Sequence, residues 1–385
     1  MKIAMIGQKG IPAIHGGVER HVHDLSLKLA KKGHEVIVYS RKWYTGKNED
    51  HIFNGVKVIH TKSFHTKHLD AISHTFFSTL EAMKKENKID VIHYHGVGPS
   101  LLAFIPRLFA RKIKVISTFH SIDRYHKKWN FFAKWILKLG ERAACKFPHK
   151  TITVSRSLEN YSANEYNVKT KYIPNGVNAC EELENYEEIL KANNLKKFNL
   201  EKDKYLVMIS RLVPHKGVHH LIQAFVNLKS KYPENKKIQE LKLAIVGGSA
   251  FTDKYVKELH LLASAQNDIV FTDFQSGDIL EELYAGAIAL VNPSMSEGLP
   301  ITVLQAMSHK KPVLVTNIAE HLELVKNPKY IFNENDVKDL EEKLFNFLSE
   351  EKNEWEKEGK QNLDIIHKSY TWDNIVPKII NVYNS

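Results

Sequence analysis

At 385 residues, with 43% of them apolar, the chain is too long for one ordinary core and rich enough in apolar side chains to pack two. No apolar run approaches the roughly eighteen residues of a membrane span, and Met1 to Gly7 turns polar too soon for a signal peptide; two cysteines, Cys145 and Cys180, exclude a disulfide framework and fit a reducing cytosol. The net charge of +11 is uneven: residues 1–178 carry 30 Lys/Arg against 13 Asp/Glu, and residues 179–385 carry 25 against 31. A basic half points to an anionic partner such as nucleic acid, a membrane surface or a phosphorylated substrate, or only to a solubilising surface.

Residues 2–6 read as a short buried strand. Behind them Gly7-Gln-Lys-Gly10-Ile-Pro12 and Gly16-Gly17 make a glycine-rich turn ahead of a helix over 19–32. Such a turn leaves helix N–H groups free for a phosphate, though the spacing is not the G-x-G-x-x-G of a dinucleotide site. A strand over 35–40 follows, and further strands over 56–61, 91–94 and 115–118 alternate with helices over 72–85 and 99–110, the pattern of a doubly wound α/β sheet. His93 and His95 share one face of an extended segment, but no carboxylate or cysteine is spaced with them, so no metal is expected there. His120, at the carboxyl end of its strand, is a candidate cleft residue.

Residues 124–147 form a basic helical stretch in which Phe132, Trp135, Ile136, Leu139 and Ala143 fall at helical spacing among Lys127, Lys128, Lys134, Lys138 and Arg142. The aromatic, basic front, 124–132, suits an anionic membrane surface, while the back half reads as a domain helix packing its stripe inward. After a strand over 152–155 and a last strand and turn over 172–178, residues 179–204 are rich in Glu, Asn and Lys and read as a linker and domain entry.

The pattern then restarts. A strand over 205–210 leads into Arg211-Leu-Val-Pro214-His-Lys216-Gly217 and a helix, an arrangement that adds two full charges to a helix N-terminus and suits a diphosphate. The strands over 241–246 and 270–271 end at Gly247-Gly248 and Thr272-Asp273-Phe274, turns where a nucleotide base would lie. An apolar run over 285–291 feeds Pro293-Ser-Met-Ser-Glu297-Gly298-Leu299-Pro300, with a helix opening near Pro300. Gly298 lets a ligand approach the backbone, and Gln305, two turns beyond Glu297, lies on roughly the same face, so the two side chains span a sugar-plus-ribose ligand or an ordinary strand-to-helix connection.

Taken in order, Arg211-x4-Lys216-Gly217 and Pro293-Ser-x2-Glu297-Gly298-Leu299-Pro300 resemble the retaining GT-B glycosyltransferases of the large glycosyltransferase family four, and Gly10-Ile-Pro12 with Gly16-Gly17 looks like its bacterial surface-polysaccharide branch. The resemblance implies two Rossmann-like domains facing across a cleft: residues 1–178 for the acceptor, 205–368 for the nucleotide sugar, and a terminal helix over 369–385 returning to the first domain. By the same resemblance Arg211 and Lys216 hold the donor diphosphate, Glu297 the sugar hydroxyls, and Gly298, Leu299 and Pro300 the nearby backbone. His120 sits at the reacting sugar face, Gly16-Gly17 closes over the phosphates, and Gly247 and Phe274 flank the base.

The implied reaction moves a hexose from a UDP- or GDP-sugar to a saccharide or polyprenyl-diphosphate-linked acceptor with retention, in the cytoplasm or at the inner membrane face. No cofactor is implied, and no Asp-x-Asp offers a metal site. The chain departs from the family pattern at Gln305, where a ribose-binding Glu is usual, at Asn178 for a common Asp, and at Thr272-Asp273 and Ile318-Ala319 where glycines are common. Other readings remain: a GT-B-shaped nucleotide-sugar epimerase, or a non-catalytic polyanion-binding protein, although aromatic-rich RNA-binding signatures are missing and nucleic acid is not the expected partner.

Overall fold

The computed structural model describes every residue except 47–48, 67–68, 123, 125–130 and 184–185, and in one helix the side chains of 132 and 133 are also left aside. The chain forms two units, Met1–Gly176 with Trp372–Ser385, and Val177–Thr371.

Among the described residues the first unit has one eight-stranded sheet: β1 (Lys2–Ile6), β2 (Glu35–Arg41), β3 (His51–Phe53), β4 (Val56–Thr61), β5 (Val91–His95), β6 (Lys114–Phe119), β7 (Lys150–Thr153) and β8 (Lys171–Tyr172). The order is β3-β4-β2-β1-β5-β6-β7-β8, parallel except for the β3–β4 pair. Because helices cover both faces, the strands read as nearly unbroken apolar runs, and Ile3, Ala4, Met5 and Ile6 are all fully buried. The helix Gly17–Lys31 turns Val22, Leu25 and Leu29 onto the sheet. The last helix, Trp372–Asn384, adds Trp372, Ile375, Val376, Ile379, Val382 and Tyr383 to that same core. Each such side chain contributes about 1.5–3 kcal/mol relative to exposure. Trp372 lies so close over Gly176 that a Cβ there would meet its ring at 2.6 Å.

The second unit carries β9 (Tyr205–Ile209), β10 (Lys242–Val246), β11 (Ile269–Phe271), β12 (Ala289–Asn292), β13 (Val313–Thr316) and β14 (Ile331–Phe332), all parallel in the order β11-β10-β9-β12-β13-β14. The order reverses between β9 and β12. In open sheets of this kind the crevice outside the strand ends at such a reversal is where ligands bind.

Two sequence expectations need correction. Residues 179–204 are not a linker: Ala179, Cys180, Ile189, Leu195 and Leu200 are buried in the second unit, and the Glu282 carboxylate accepts hydrogen bonds from the Asn194 backbone at 3.0 Å and its side-chain amide at 2.9 Å. A few well-spaced apolar residues and one distant carboxylate anchor a segment whose composition looks solvated. The back half of the basic stretch, in the helix Phe131–Lys146, turns only Ala143 of its described stripe inward. Gly140, Glu141, Ala143, Ala144 and Cys145 face the core, and Trp135, Ile136 and Leu139 face out. Close packing fixes this rotation, since a Cβ on Gly140 would meet the Val97 carbonyl oxygen at 2.7 Å. Of the aromatic front, residues 125–130 lie outside the described residues.

Candidate functional site

The loops that leave β9 and β12 carry the charged residues of the second unit, and they are built against each other. The first runs from Ser210 through a short 3-10 turn, Pro214–Lys216, to Gly217, whose φ of 67° is left-handed backbone that favours glycine. A Cβ there would meet the Pro293 carbonyl oxygen at 2.2 Å, and the Met295 N–H donates to the His215 carbonyl at 2.9 Å. Two loops about eighty residues apart in sequence are thereby held as one surface.

On that surface the Lys216 ammonium donates to Glu297 Oε1 at 2.5 Å, with side-chain exposures of 13% and 10%. Burial pushes the Glu297 carboxyl up, but the attraction of Lys216 first, then His321, outweighs it and holds the group down at about 2. His321 is itself driven down to about 4 by burial, partly offset by Glu297. Its Nδ1 lies 2.9 Å from Thr316 Oγ1, and the Thr316 hydroxyl donates to the Ser294 carbonyl at 2.5 Å, so the floor of the Glu297 loop is tied to β13. Arg211, in the same loop after β9 as Lys216, is exposed and makes no side-chain hydrogen bond or salt bridge among the described residues. Gly217 has no side chain to cap the helix Val218–Lys231, in whose first turn the His219 N–H donates to the Tyr255 hydroxyl at 3.4 Å. The surface thus offers one uncommitted guanidinium, one ammonium shared with a carboxylate, and helix N–H groups, a set matched to a ligand with both anionic and hydroxyl groups.

Of the other sequence-predicted residues of this unit, Gly247, Phe274 and Gly298 to Pro300 lie in loops behind strands, and Gln305 lies within a helix. Gly247, after β10, has φ 144° and no room for a Cβ, which would meet the Ser210 carbonyl oxygen at 1.8 Å; its N–H donates to the Asp273 carbonyl at 2.9 Å. Asp273 takes the left-handed conformation (φ 54°), and Phe274 beside it is 42% exposed. Gly298, Leu299 and Pro300 are buried and lead into the helix Ile301–Ser308. Gln305 is half-buried, and its Oε1 accepts from the Tyr284 hydroxyl at 3.2 Å. Tyr284 stacks on His309, whose Nε2 lies 2.7 Å from Glu281. None of Tyr284, His309 or Glu281 was singled out by sequence, because each is an ordinary residue inside a helix or at its end.

In the first unit the loop after β1 and the ends of β5 and β6 come together, again where the strand order reverses. The Tyr44 hydroxyl pins the glycine turn, accepting from the Ile14 and His15 N–H groups at 2.7 and 2.9 Å and donating to the His15 carbonyl at 3.0 Å. Gly16 (φ 107°) precedes the helix Gly17–Lys31, and a Cβ on it would meet Glu19 Oε2 at 2.0 Å. The buried Glu19 carboxylate therefore lies at the turn where the glycines suggested a phosphate, and it also accepts from the Lys9 N–H at 3.3 Å. Glu19 was not foreseen; a carboxylate in the first turn of a helix behind two glycines was the available signal.

His120 Nε2 sits 3.2 Å from His95 Nδ1, and His21 lies edge-on to His120 with ring centroids 4.9 Å apart. One ring nitrogen from each of His21, His95 and His120 falls within 4.8 Å of the others, a grouping that could hold a soft cation. Burial drives all three well below the ordinary histidine range, His21 to about 4. Neither nitrogen of His21 makes a hydrogen bond of ordinary geometry, although Asn175 lies near enough to favour its charged form. The contact between His95 and His120 is already a hydrogen bond, which makes a packed cluster of neutral imidazoles the economical description. His93, on the same strand as His95, is engaged by Thr118 Oγ1 and the Tyr383 hydroxyl, both at 2.7 Å.

These two units define a GT-B glycosyltransferase, and comparison with known proteins gives the family. Residues 15–180 match the family described as Glycosyltransferase Family 4, and residues 191–362 that described as Glycosyl transferases group 1. The chain belongs to the family-four glycosyltransferases. It is 28% identical over 413 residues to an uncharacterized glycosyltransferase of Methanocaldococcus jannaschii, an alignment that takes in all of this chain and 98% of that one. It is 26% identical over 234 residues to an O-antigen chain mannosyltransferase of Salmonella typhimurium, covering 60% of this chain and 59% of that protein. Among solved structures it is similar to HepE of Anabaena in complex with UDP-glucose, with a TM-score of 0.77 at 19% identity over 100% of this chain and 99% of that one. A glycosyltransferase involved in lipopolysaccharide biosynthesis is similar with a TM-score of 0.75 at 17% identity over 99% of each chain.

Proposed function

We propose that this glycosyltransferase moves a hexose from a UDP- or GDP-sugar to a saccharide or polyprenyl-diphosphate-linked acceptor, with retention, in polysaccharide synthesis at the cytoplasmic face of a membrane. The observation that carries the reading is the pairing of Lys216 with Glu297 across the two loops at the β9/β12 reversal, with Arg211 exposed in the first of those loops. Cleavage of a glycosyl diphosphate builds negative charge on the leaving phosphate and positive charge on the ring. Fixed cations at the phosphate lower that barrier, and each such group is worth about 10²–10³ in rate.

Arg211 takes one phosphate. Lys216 turns from Glu297 toward the diphosphate as the donor binds, and Glu297 is then free to accept from sugar hydroxyls. The bond from the anomeric carbon to the phosphate oxygen breaks, and the acceptor oxygen bonds that carbon on the same face. The acceptor proton passes to the departing diphosphate. Gln305 meets the ribose diol, Gly247 and Phe274 flank the base, and His120 in the first unit serves the reacting sugar. With two side-chain cations for the diphosphate, the reaction needs no divalent metal, and chelation leaves turnover unchanged. The mannosyltransferase relative and the UDP-glucose complex of HepE support donor and product class by likeness.

The test is release of nucleoside diphosphate from UDP-, GDP- and dTDP-sugars with and without polyprenyl-diphosphate saccharides. Acceptor-dependent release from one donor, cut about 10²-fold or more by Arg211→Ala, is the expected result. Conversion of a sugar nucleotide without acceptor, or full activity in Arg211→Ala, overturns the reading.

A further inference from the structure

The helix Phe131–Lys146 presents to solvent a face unlike that of any ordinary domain helix. Phe131 is 89% exposed and Trp135 53%, and with Leu139 they recur every four residues along one line. Lys134, Lys138, Arg142 and Lys146 lie on the same outward side, exposed. The single carboxylate of the helix, Glu141, is fully buried and accepts from the Tyr161 and Tyr166 hydroxyls at 2.7 Å each. Outside the helix, Glu165 reaches Lys138 at 3.0 Å.

Beside the C-terminal end of this helix stands the short helix Phe104–Phe109, joined to it by Phe104 against Phe147 with ring centroids 5.8 Å apart. Its Leu108 and Phe109 are 56% and 76% exposed, and Arg111 and Lys112 follow directly. Over residues 101–150 the sequence holds twelve Lys/Arg and two carboxylates, Asp123 and the buried Glu141.

We propose that this face, the outward side of Phe131–Lys146 with the Phe104–Phe109 turn, is where the chain sits on an anionic phospholipid surface. The chemistry separates this from a protein partner. Protein interfaces are depleted in Lys and pair their charges, whereas a surface-lying helix carries aromatic and aliphatic side chains for the acyl boundary and Lys/Arg for the headgroups. Here aromatics and single-sign charge share one side with almost no acid. The proposal deepens the lipid-linked acceptor reading, since a chain resting on the bilayer meets such an acceptor at high local concentration.

The full chain is floated with vesicles of phosphatidylcholine, with and without phosphatidylglycerol, at low and high salt. Binding only to the anionic vesicles and weakened by salt is expected. Arg142→Gln with Lys146→Gln lowers partitioning roughly thirtyfold, and Trp135→Ser with Leu139→Ser lowers it at least about tenfold. Leu261→Ser, at a still more exposed residue of the second unit, changes nothing. Far-ultraviolet circular dichroism confirms that each variant is folded, and the two pairs of substitutions fail independently. Equal binding by all variants, or a dimer in sedimentation that the same substitutions abolish without vesicle binding by the wild type, overturns the proposal. Donor hydrolysis measured on the same variants without lipid stays at the wild-type rate, so failure here is distinct from failure of the transferase reading.

Discussion

Replacing Lys216 by Met removes the nearest charge from Glu297 and leaves a nearly buried carboxylate without its main partner. The Glu297 carboxyl is held at about 2 against an ordinary value of 4.5, even though burial alone would raise it. A difference of that size corresponds to on the order of 3 kcal/mol of stabilisation near neutral pH, most of it from Lys216. The carboxyl is depressed, so this contribution is fully present above about pH 4.5 and is lost as pH falls toward 2. Lys216→Met should therefore cost roughly 2–3 kcal/mol in urea unfolding at pH 7, and Glu297→Gln a similar amount, because each single change strands one polar partner. The double variant removes both and should recover much of the loss, giving a coupling energy of about 2 kcal/mol or more in a double-mutant cycle. Additive single effects, with coupling below about 0.5 kcal/mol, would refute the claim that the two loops are joined by this pair.

Gly217→Ala forces a left-handed φ of 67° on a Cβ that meets the Pro293 carbonyl oxygen at 2.2 Å. It should cost more than about 1 kcal/mol in thermal unfolding and weaken nucleotide binding as well, because both loops must part. The buried histidines make the first unit acid-sensitive. His21 and His93 are driven to about 4 and about 3 by burial, so the neutral forms stabilise the fold fully above about 6.5 and progressively less as pH falls. At pH 5 each should cost on the order of 2 kcal/mol, seen as a fall in Tm from pH 7 to 5; a flat profile would contradict the assignment.

How far the sequence reaches follows from which contacts are local. The two loops that carry Arg211, Lys216 and Glu297 were legible as loops because each is punctuated by Gly or Pro directly behind an apolar strand, and strand order then brings them together. Asp273 shows the limit of reading glycines: a position that looked like a lost glycine keeps the left-handed backbone with an aspartate (φ 54°). Residues 179–204 were misread because their anchor, Glu282, lies 88 residues from Asn194. The outward rotation of Phe131–Lys146 was misread for a similar reason. Its periodic stripe has no sign in sequence, and only the tight seat of Gly140 on Val97 decides which side faces in. His21 and Glu19 were missed because a helix start that looks like a phosphate cradle gives no hint that its own side chains fill the space.

Equilibrium binding of UDP and GDP to the wild-type chain, to Arg211→Ala and to Lys216→Ala bears most directly on the donor site. One nucleotide should bind the wild type, and each variant should lose at least about tenfold in affinity, the loss of one charge-assisted contact. Equal binding by all three proteins would contradict a diphosphate site at the β9/β12 reversal.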